Sequence, residues 1–159
     1  MLFRSIMKVY RISKCQYIDD LSGTGSANYP SRWHSKGTYI LYTAANASLA
    51  LLESVVHISN IIVGDYCMIC LDIPANHILS VTADMLSEDW FINPPLDSLK
   101  IFGDSFVKEG KWLALKMPSA IMPEENNYLL NPRHRDFKFV KKVYSRKIAI
   151  DNRLIKEIQ

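Results

Sequence analysis

A single carboxylate, that of Glu53, lies within an otherwise apolar segment that reads LALLESVV over residues 49–56. A carboxylate is rarely buried without a partner, because removing its charge from water is costly. No lysine or arginine stands three or four residues before or after Glu53, so a helix could not supply that partner itself. The fold must therefore bring a distant residue to Glu53, or leave Glu53 facing a ligand.

The segment around Glu53 has the signals of a strand followed by an amphipathic helix. Residues 39–43 predict a short strand, and Asn46 is suited to cap a helix over residues 47–59. Glu53 is expected at the edge of the apolar face of that helix. The face itself is predicted from three residues at helical spacing: Leu49, Leu52 and Val56.

The rest of the chain alternates short strands with few helices. One or two helical turns are predicted at 84–90 and a helix at 97–108, although Gly103 weakens the second prediction. The glycine-bearing stretch 21–26 is expected to be a flexible loop. Strands are predicted at residues 6–12, 66–73, 78–81, 112–117 and 137–145. A chain of 159 residues, 48% hydrophobic and 22% charged, fits one soluble α+β domain.

The charge balance gives little support to a nucleic-acid-binding function. The 19 Lys and Arg exceed the 16 Asp and Glu by only three. The run at 133–147 is basic with interleaved aromatic residues, a combination that can bind single-stranded nucleic acid. Since the run also alternates apolar and charged residues, we interpret it as a half-exposed strand. No apolar segment approaches the ~20 residues that span a membrane.

The cysteines and histidines predict neither a disulfide framework nor a metal site. Cys67 and Cys70 have CxxC spacing within an apolar, strand-like run, but no second CxxC or histidine pair accompanies them. We therefore interpret these two as small buried hydrophobic residues. With Cys15 they make no disulfide framework, and a reducing cytoplasm is the simplest setting. The histidines are scattered without ligand spacing: His34, His57, His77 and His134.

A few polar residues are candidates for a site beside Glu53. Arg32 could bind a phosphate or carboxylate with its guanidinium group, pair with Glu53, or be an ordinary surface residue. Ser119 lacks a GxSxG context, which disfavours a hydrolase nucleophile and leaves a turn serine that binds neighbouring backbone. His57 could pair with Glu53 or end the helix in solvent. Any of three tyrosines could stack a planar ring: Tyr10, Tyr39 and Tyr42. These residues alone do not name a reaction.

The order of several short motifs resembles the RES-domain family, toxins of bacterial toxin–antitoxin pairs named for an arginine, a glutamate and a serine. The resemblance covers most of the chain. The motifs are, in chain order, Tyr10-Arg11, LSGTGS at 21–26, Arg32-Trp33, Gly37 ahead of LYTA at 41–44, LALLE at 49–53 with His57, PSA at 118–120, Asn126, and NPRH at 131–134. One departure is His34, where the family commonly has asparagine, and we expect this residue to support the loop.

The resemblance implies a fold, an activity and a set of site residues. The expected fold is that of ADP-ribosyltransferases, with small sheets forming a cleft between flanking helices, in one domain at 1–159 whose core spans about 8–150. The expected activity consumes NAD by hydrolysis, by phosphorolysis or by transfer of ADP-ribose to a protein, without a metal. The implied catalytic residues are Arg32, Glu53 and Ser119, and the implied substrate-binding residues are Tyr10, Arg11, Tyr42 and Asn126.

In that scheme Glu53 stabilises an oxocarbenium-like ribose, Arg32 holds the pyrophosphate, Ser119 positions the ribose or amide, and Tyr42 stacks on nicotinamide. The implied partner is a helix-turn-helix (Xre-type) antitoxin that covers the cleft in a higher-order cytoplasmic complex and carries the DNA binding. Two alternatives stay open. One is a protein ADP-ribosyltransferase of the same fold, and the other is a non-catalytic nucleic-acid-binding module that uses residues 133–147.

Overall fold

The computed structural model describes residues 5–58 and 64–155 and confirms the α+β class. Short 3₁₀ turns connect several of the main elements, which number seven strands and three α-helices in the described ranges. The elements are β1 (Ile6–Lys14), α1 (Thr24–Asn28), β2 (Leu41–Ala44), α2 (Ala47–Val55), β3 (Tyr66–Pro74), β4 (Ile78–Ser80), α3 (Lys100–Glu109), β5 (Ala114–Pro118), β6 (Asn126–Leu130) and β7 (Lys141–Ile148).

The strands form one mixed sheet in the order β4-β5-β6-β2-β1-β3-β7, with β4 and β5 parallel and the other neighbours antiparallel. Strands β1 and β3 pair over nine residues, whereas the described part of β1 and β2 shares one pair, Tyr10 with Ala44. The sheet therefore consists of two well-paired halves, β4-β5-β6-β2 and β1-β3-β7, joined at a narrow seam between β2 and β1. The small sheets expected from the sequence correspond to these two halves of one continuous sheet.

Apolar side chains cover both faces of the sheet. Strand β3 is buried on both faces, with Ile69 on one and Cys70 on the other, as its almost continuous apolar sequence requires of a strand covered on both sides. A second apolar cluster, which includes Trp33, Trp90 and Phe106, lies between the sheet and α3. No helix in the described ranges is long and apolar enough to cross a membrane.

The helix that carries Glu53 forms as predicted but is shorter. Asn46 caps it, since its side chain accepts a hydrogen bond from the backbone nitrogen of Leu49 at 2.8 Å. Helix α2 ends at Val55, so Val56 is 55% exposed rather than part of the buried face. The predicted helix end at residue 59 lies outside the described residues.

Other local predictions need correction. The expected loop at 21–26 leads into α1, because Gly23 adopts a left-handed φ of 75° and packs against the backbone of Ile40, where a side chain would clash. The strand expected at 137–145 begins at Lys141, because His134 caps a 3₁₀ turn over Arg135–Phe139. The turns expected at 84–90 form as a 3₁₀ turn at Ala83–Met85 and a second turn at 88–91, whereas β6 was not predicted.

The prediction that the cysteines form no disulfide is wrong. Cys15 is bonded to Cys67, and Cys70 is free and buried. The antiparallel register places Ser13 opposite Cys67. Cys15 begins a 3₁₀ turn directly after β1, and its Cα atom lies 4.8 Å from that of Cys67. A separation of 52 residues hides this pairing from the sequence.

Strand β7, the basic strand, lies at one edge of the sheet. Its exposure extends over most of its length, which is greater than the half-exposed pattern expected. Two of its lysines form ion pairs, Lys142 with Asp19 at 2.8 Å and Lys147 with Asp65 at 2.9 Å. Lysine is a common device for keeping an edge strand from pairing with other chains.

Candidate active site

A cleft of about 1010 Å³ lies beside the seam between the two halves of the sheet. One wall comes from β1, including Tyr10 and Arg11, and another from β2, including Tyr42. Helix α2 contributes Glu53, and segments before β2 and after the 83–85 turn complete the rim. The cleft therefore draws together residues that are distant in sequence.

The carboxylate of Glu53 is held through one of its two oxygens. Ser119 Oγ and Asn127 Nδ2 each donate a hydrogen bond to Glu53 Oε1 at 2.7 Å. Oε2 has no hydrogen-bond partner among the described residues, and no buried side-chain polar atom there lacks a partner, so Oε2 is open to the cleft. The fold thus supplies the distant partners that the sequence demanded and leaves one oxygen free to accept a hydrogen bond from a ligand.

Ser119 lies behind Glu53 and is fully buried. Its hydroxyl oxygen accepts hydrogen bonds from the backbone nitrogens of Ile121 at 3.2 Å and Met122 at 3.1 Å. Because both of these groups donate, the hydroxyl hydrogen is available for Glu53. Ser119 is therefore a turn serine and a support for Glu53 at once.

Arg32 lines the cleft without forming an ion pair to Glu53 within the described part of the chain. Its Nη1 donates to the backbone carbonyls of Trp90 at 2.7 Å and Ile92 at 2.9 Å. Partial burial lowers the pKa of Arg32, and the charge of Glu53 acts in the opposite direction. The Nε and Nη2 groups are not engaged by these bonds, so they can still bind an anion.

The segment that carries Arg32 is fixed to helix α3. Asp104 accepts hydrogen bonds from the backbone and hydroxyl of Ser35 and from the hydroxyl of Thr38, at 2.6–2.8 Å. Burial by itself raises the pKa of Asp104, but these hydrogen bonds outweigh it and the pKa falls below its ordinary value. Gly103 donates its backbone N–H to the Trp33 carbonyl at 2.8 Å.

Tyr42 and His34 form a hydrogen-bonded pair beside the cleft. His34 is buried, and its Nε2 lies 2.8 Å from the carbonyl of Ser26 and 2.9 Å from that of Tyr29. Because carbonyls only accept, Nε2 carries the hydrogen, and in the neutral ring Nδ1 accepts from the Tyr42 hydroxyl at 2.6 Å. Burial raises the pKa of Tyr42, which keeps its hydroxyl protonated as a donor. His34 supports the loop, as expected.

The other predicted binding residues occupy different positions. Arg11 lines the cleft, and its Nη1 donates to the carbonyls of Tyr17 and Ile18 at 3.3 Å, while burial lowers its pKa. Tyr10 also lines the cleft, and burial raises its pKa. Asn126 lies next to the lining, and it is its neighbour in β6, Asn127, that faces Glu53.

Some cleft residues were missed by sequence reasoning. Asn127 could have been found only by predicting β6, since alternation along a strand sends one of two adjacent asparagines to each face. Phe91, Asn93 and Tyr29 sit in irregular segments without a periodic signal. His57 lines the cleft without a hydrogen bond to Glu53 in the described part of the chain. No group of three or more metal-ligating side chains occurs among the described residues.

The fold and cleft define a single-domain α+β protein with one carboxylate fixed beside two arginines. The model of the RES domain matches residues 8–151, and the chain therefore belongs to the RES domain family. It is 36% identical over 153 residues to the toxin Res of Photorhabdus laumondii, which covers 94% of this chain and 98% of that protein. It is 31% identical over 134 residues to the toxin Res of Yersinia enterocolitica, covering 83% and 88%. The protein is thus a RES-family toxin.

Two further similarities bear on activity and fold. The chain is 33% identical over 144 residues to a Sphingobium protein named Prs ADP-ribosylating toxin, covering 87% of this chain and 89% of that one. A chain in the crystal structure of the M. tuberculosis MbcT–MbcA toxin–antitoxin complex matches with a TM-score of 0.76 and 14% identity, covering 91% and 85%. That match confirms the expected fold.

Proposed function

We propose that this toxin consumes NAD by cleaving the bond between nicotinamide and ribose. The observation that carries the proposal is Glu53, whose Oε1 is fixed by Ser119 and Asn127 while Oε2 is open to a cleft large enough for a dinucleotide. The proposal treats residues 1–159 as one RES domain.

The chemistry requires little more than one placed carboxylate. When the C–N bond breaks, its electron pair leaves with nicotinamide, which departs as a neutral molecule and needs no general acid. The ribose acquires oxocarbenium character, as in glycoside cleavage. Glu53 Oε2 would accept hydrogen bonds from the ribose hydroxyls and offset the developing positive charge.

The remaining residues would hold the substrate. Arg32 would bind the pyrophosphate through Nε and Nη2, since Nη1 is engaged with backbone carbonyls, and Arg11 lies in the same cleft. The ring of Tyr42 would stack on nicotinamide while its hydroxyl stays bound to His34. Ser119, being buried, would act by positioning Glu53 rather than by touching the ribose or amide. The substrate-binding role that the sequence assigns to Asn126 would belong to Asn127, which lines the cleft.

The acceptor of ADP-ribose distinguishes two candidate functions. Water or phosphate would make the protein an NAD glycohydrolase or phosphorylase. Transfer to a protein is the second candidate, favoured by the name of the Sphingobium relative, an ADP-ribosylating toxin. A nucleic-acid-binding module gains less support, because Lys142 and Lys147 of the basic strand are already paired with aspartates.

We also propose that a helix-turn-helix (Xre-type) antitoxin binds this protein in the cytoplasm and covers the cleft. The structural neighbour was crystallised as a toxin–antitoxin complex, which supports an antitoxin partner. DNA binding would belong to the antitoxin, in line with the net charge of only +3 on this chain, and the two proteins would assemble into a larger complex.

The decisive experiment compares wild type with Glu53→Gln, which keeps the size of the side chain and removes its charge. Purified proteins are incubated with NAD, and the products are separated by chromatography. We expect nicotinamide release by the wild type and its near-complete loss in Glu53→Gln, while Glu124→Gln, an exposed carboxylate change, stays active. Undiminished release by Glu53→Gln would refute the proposed role of Glu53.

The same assay separates the acceptors. Added phosphate converts the product to a phosphorylated ADP-ribose if the enzyme is a phosphorylase. Labelled NAD in a cell lysate reveals a tagged protein if the enzyme is a transferase. A wild type that releases no nicotinamide and labels no protein would overturn the NAD-consuming function itself.

A further inference from the structure

The segment at the cleft rim after the 83–85 turn presents an exposed aromatic ring. Phe91 lines the cleft and is 51% exposed, whereas its neighbour Trp90 is only 4% exposed. Single exposed apolar side chains are common on protein surfaces, but an aromatic ring that lines a cleft offers a ligand an apolar face to cover. The ring is therefore a candidate contact for a ligand.

The backbone that carries this ring is fixed on both sides. Arg32 Nη1 donates to the carbonyls of Trp90 and Ile92, the residues immediately before and after Phe91. Trp90 is stacked on Trp33, with ring centroids 6.1 Å apart and planes at 27°. The hydrogen bonds from Arg32 therefore fix the backbone on either side of Phe91. The stacking of Trp90 on Trp33 attaches the same segment to the apolar core.

The Phe91 ring is oriented by an aromatic contact that leaves much of it uncovered. It meets Trp90 nearly at right angles, with the two planes at 86° and the centroids 6.0 Å apart. A ring on a fixed backbone loses little conformational entropy when a planar ligand stacks on it. Stacking between aromatic side chains and nucleobases tolerates different bases, since every base presents a π-face.

We infer that Phe91 is a stacking platform for one heteroaromatic ring of the dinucleotide, and that Arg32 positions this platform. The inference rests on the proposed function and extends it, because it gives Arg32 a second role besides binding an anion. NAD carries a flat heteroaromatic ring at each end. The ring that stacks on Phe91 is therefore either adenine or the pyridine of nicotinamide.

The test measures affinity for two fragments by calorimetry. ADP-ribose carries adenine without nicotinamide, and nicotinamide mononucleotide carries nicotinamide without adenine. We expect Phe91→Ala to weaken binding of one fragment about five- to tenfold, and Phe91→Trp to restore it. Phe139→Ala, an exposed phenylalanine outside the cleft lining, should bind both fragments as wild type does.

The fragment that Phe91→Ala binds more weakly than the wild type does identifies the ring that stacks on Phe91. Weaker ADP-ribose binding assigns Phe91 to adenine, and weaker mononucleotide binding assigns it to nicotinamide. Wild-type affinity of Phe91→Ala for both fragments would overturn the platform, as would a wild-type protein that binds neither. If the wild type binds a fragment but consumes no NAD, the proposed reaction fails and the platform stands.

The positioning role of Arg32 is tested by combining changes. Arg32→Lys keeps a positive charge, but its Nζ is one bond closer to the backbone than Nη1, so we expect it to lose the paired donations to the Trp90 and Ile92 carbonyls. If Arg32 places the ring, Phe91→Ala should have a much smaller effect on fragment affinity in the Arg32→Lys background than in the wild type. If the loss of fragment affinity in the double variant equals the product of the losses in the two single variants, the two residues act independently and the positioning role of Arg32 is refuted.

Discussion

Replacing Asn127 with alanine removes one of the two hydrogen bonds that hold Glu53. Asn127 Nδ2 donates to Glu53 Oε1 at 2.7 Å, and Ser119 donates to the same oxygen at the same distance. In the variant, Oε1 keeps Ser119 and loses the amide. The carboxylate can then rotate, and Oε2 no longer has a fixed position in the cleft.

The size of the effect follows from these contacts. A hydrogen bond to a charged group contributes about 1.5–3 kcal/mol. Asn127 is partly exposed and Ser119 remains, so we expect the lower end of this range, which corresponds to roughly a tenfold loss in rate. The loss should fall on kcat more than on KM, because the bond supports a carboxylate whose charge acts in the transition state.

The assay is the initial rate of nicotinamide release as a function of NAD concentration. Asn126→Ala is the matched control, since it deletes the same side chain one residue earlier, outside the cleft lining. We expect this control to keep nearly full activity, and thermal melting checks that both variants are folded. Equal losses in the two variants, or no loss in Asn127→Ala, would refute the assigned role of Asn127.

Two further predictions concern stability. Gly103→Ala would place a Cβ atom against the Trp33 carbonyl, so we expect a loss of about 1–3 kcal/mol and a melting temperature lower by roughly 3–10 °C. Gly25→Ala, where the Cβ meets open space, is the control, and equal melting of both variants would contradict the close approach. Loss of the Cys15–Cys67 disulfide, which closes a 52-residue span, should cost about 4 kcal/mol in the chain-entropy estimate. Denaturant unfolding with and without reductant measures it, and coincident curves would contradict it.

The sequence predicted features that depend on neighbouring residues. The cap at Asn46 and the buried strand β3 are local patterns of side-chain type, and both are confirmed. The features it missed depend on register between distant strands. Asn127 of β6 reaches Glu53 across 74 residues, because β6 pairs with β2, the strand that leads into α2. Cys15 reaches Cys67 across 52 residues, because β1 pairs with β3. The apolar sequence around Glu53 showed that this carboxylate needs a distant partner, but it did not show which residue is that partner.

Helix α2 explains why a lone carboxylate belongs in an apolar segment. Its apolar residues Leu49 and Ala50 pack with Ala44 of β2, and Tyr10 and Ile12 of β1 pack against the same cluster. The helix thereby spans the seam at which the two halves of the sheet share one residue pair in the described chain.

The edge of that helix faces the cleft and the ends of β5 and β6. Glu53 is held there by Asn127 of β6 and by Ser119, which directly follows β5, and both strands belong to the half of the sheet that contains β2. The apolar face fixes the helix across the seam, and the hydrogen bonds fix the carboxylate at the cleft. A change that loosens the packing of Leu49 would therefore displace Glu53 even though the donors remain, so fold stability and the geometry of the site are coupled through α2.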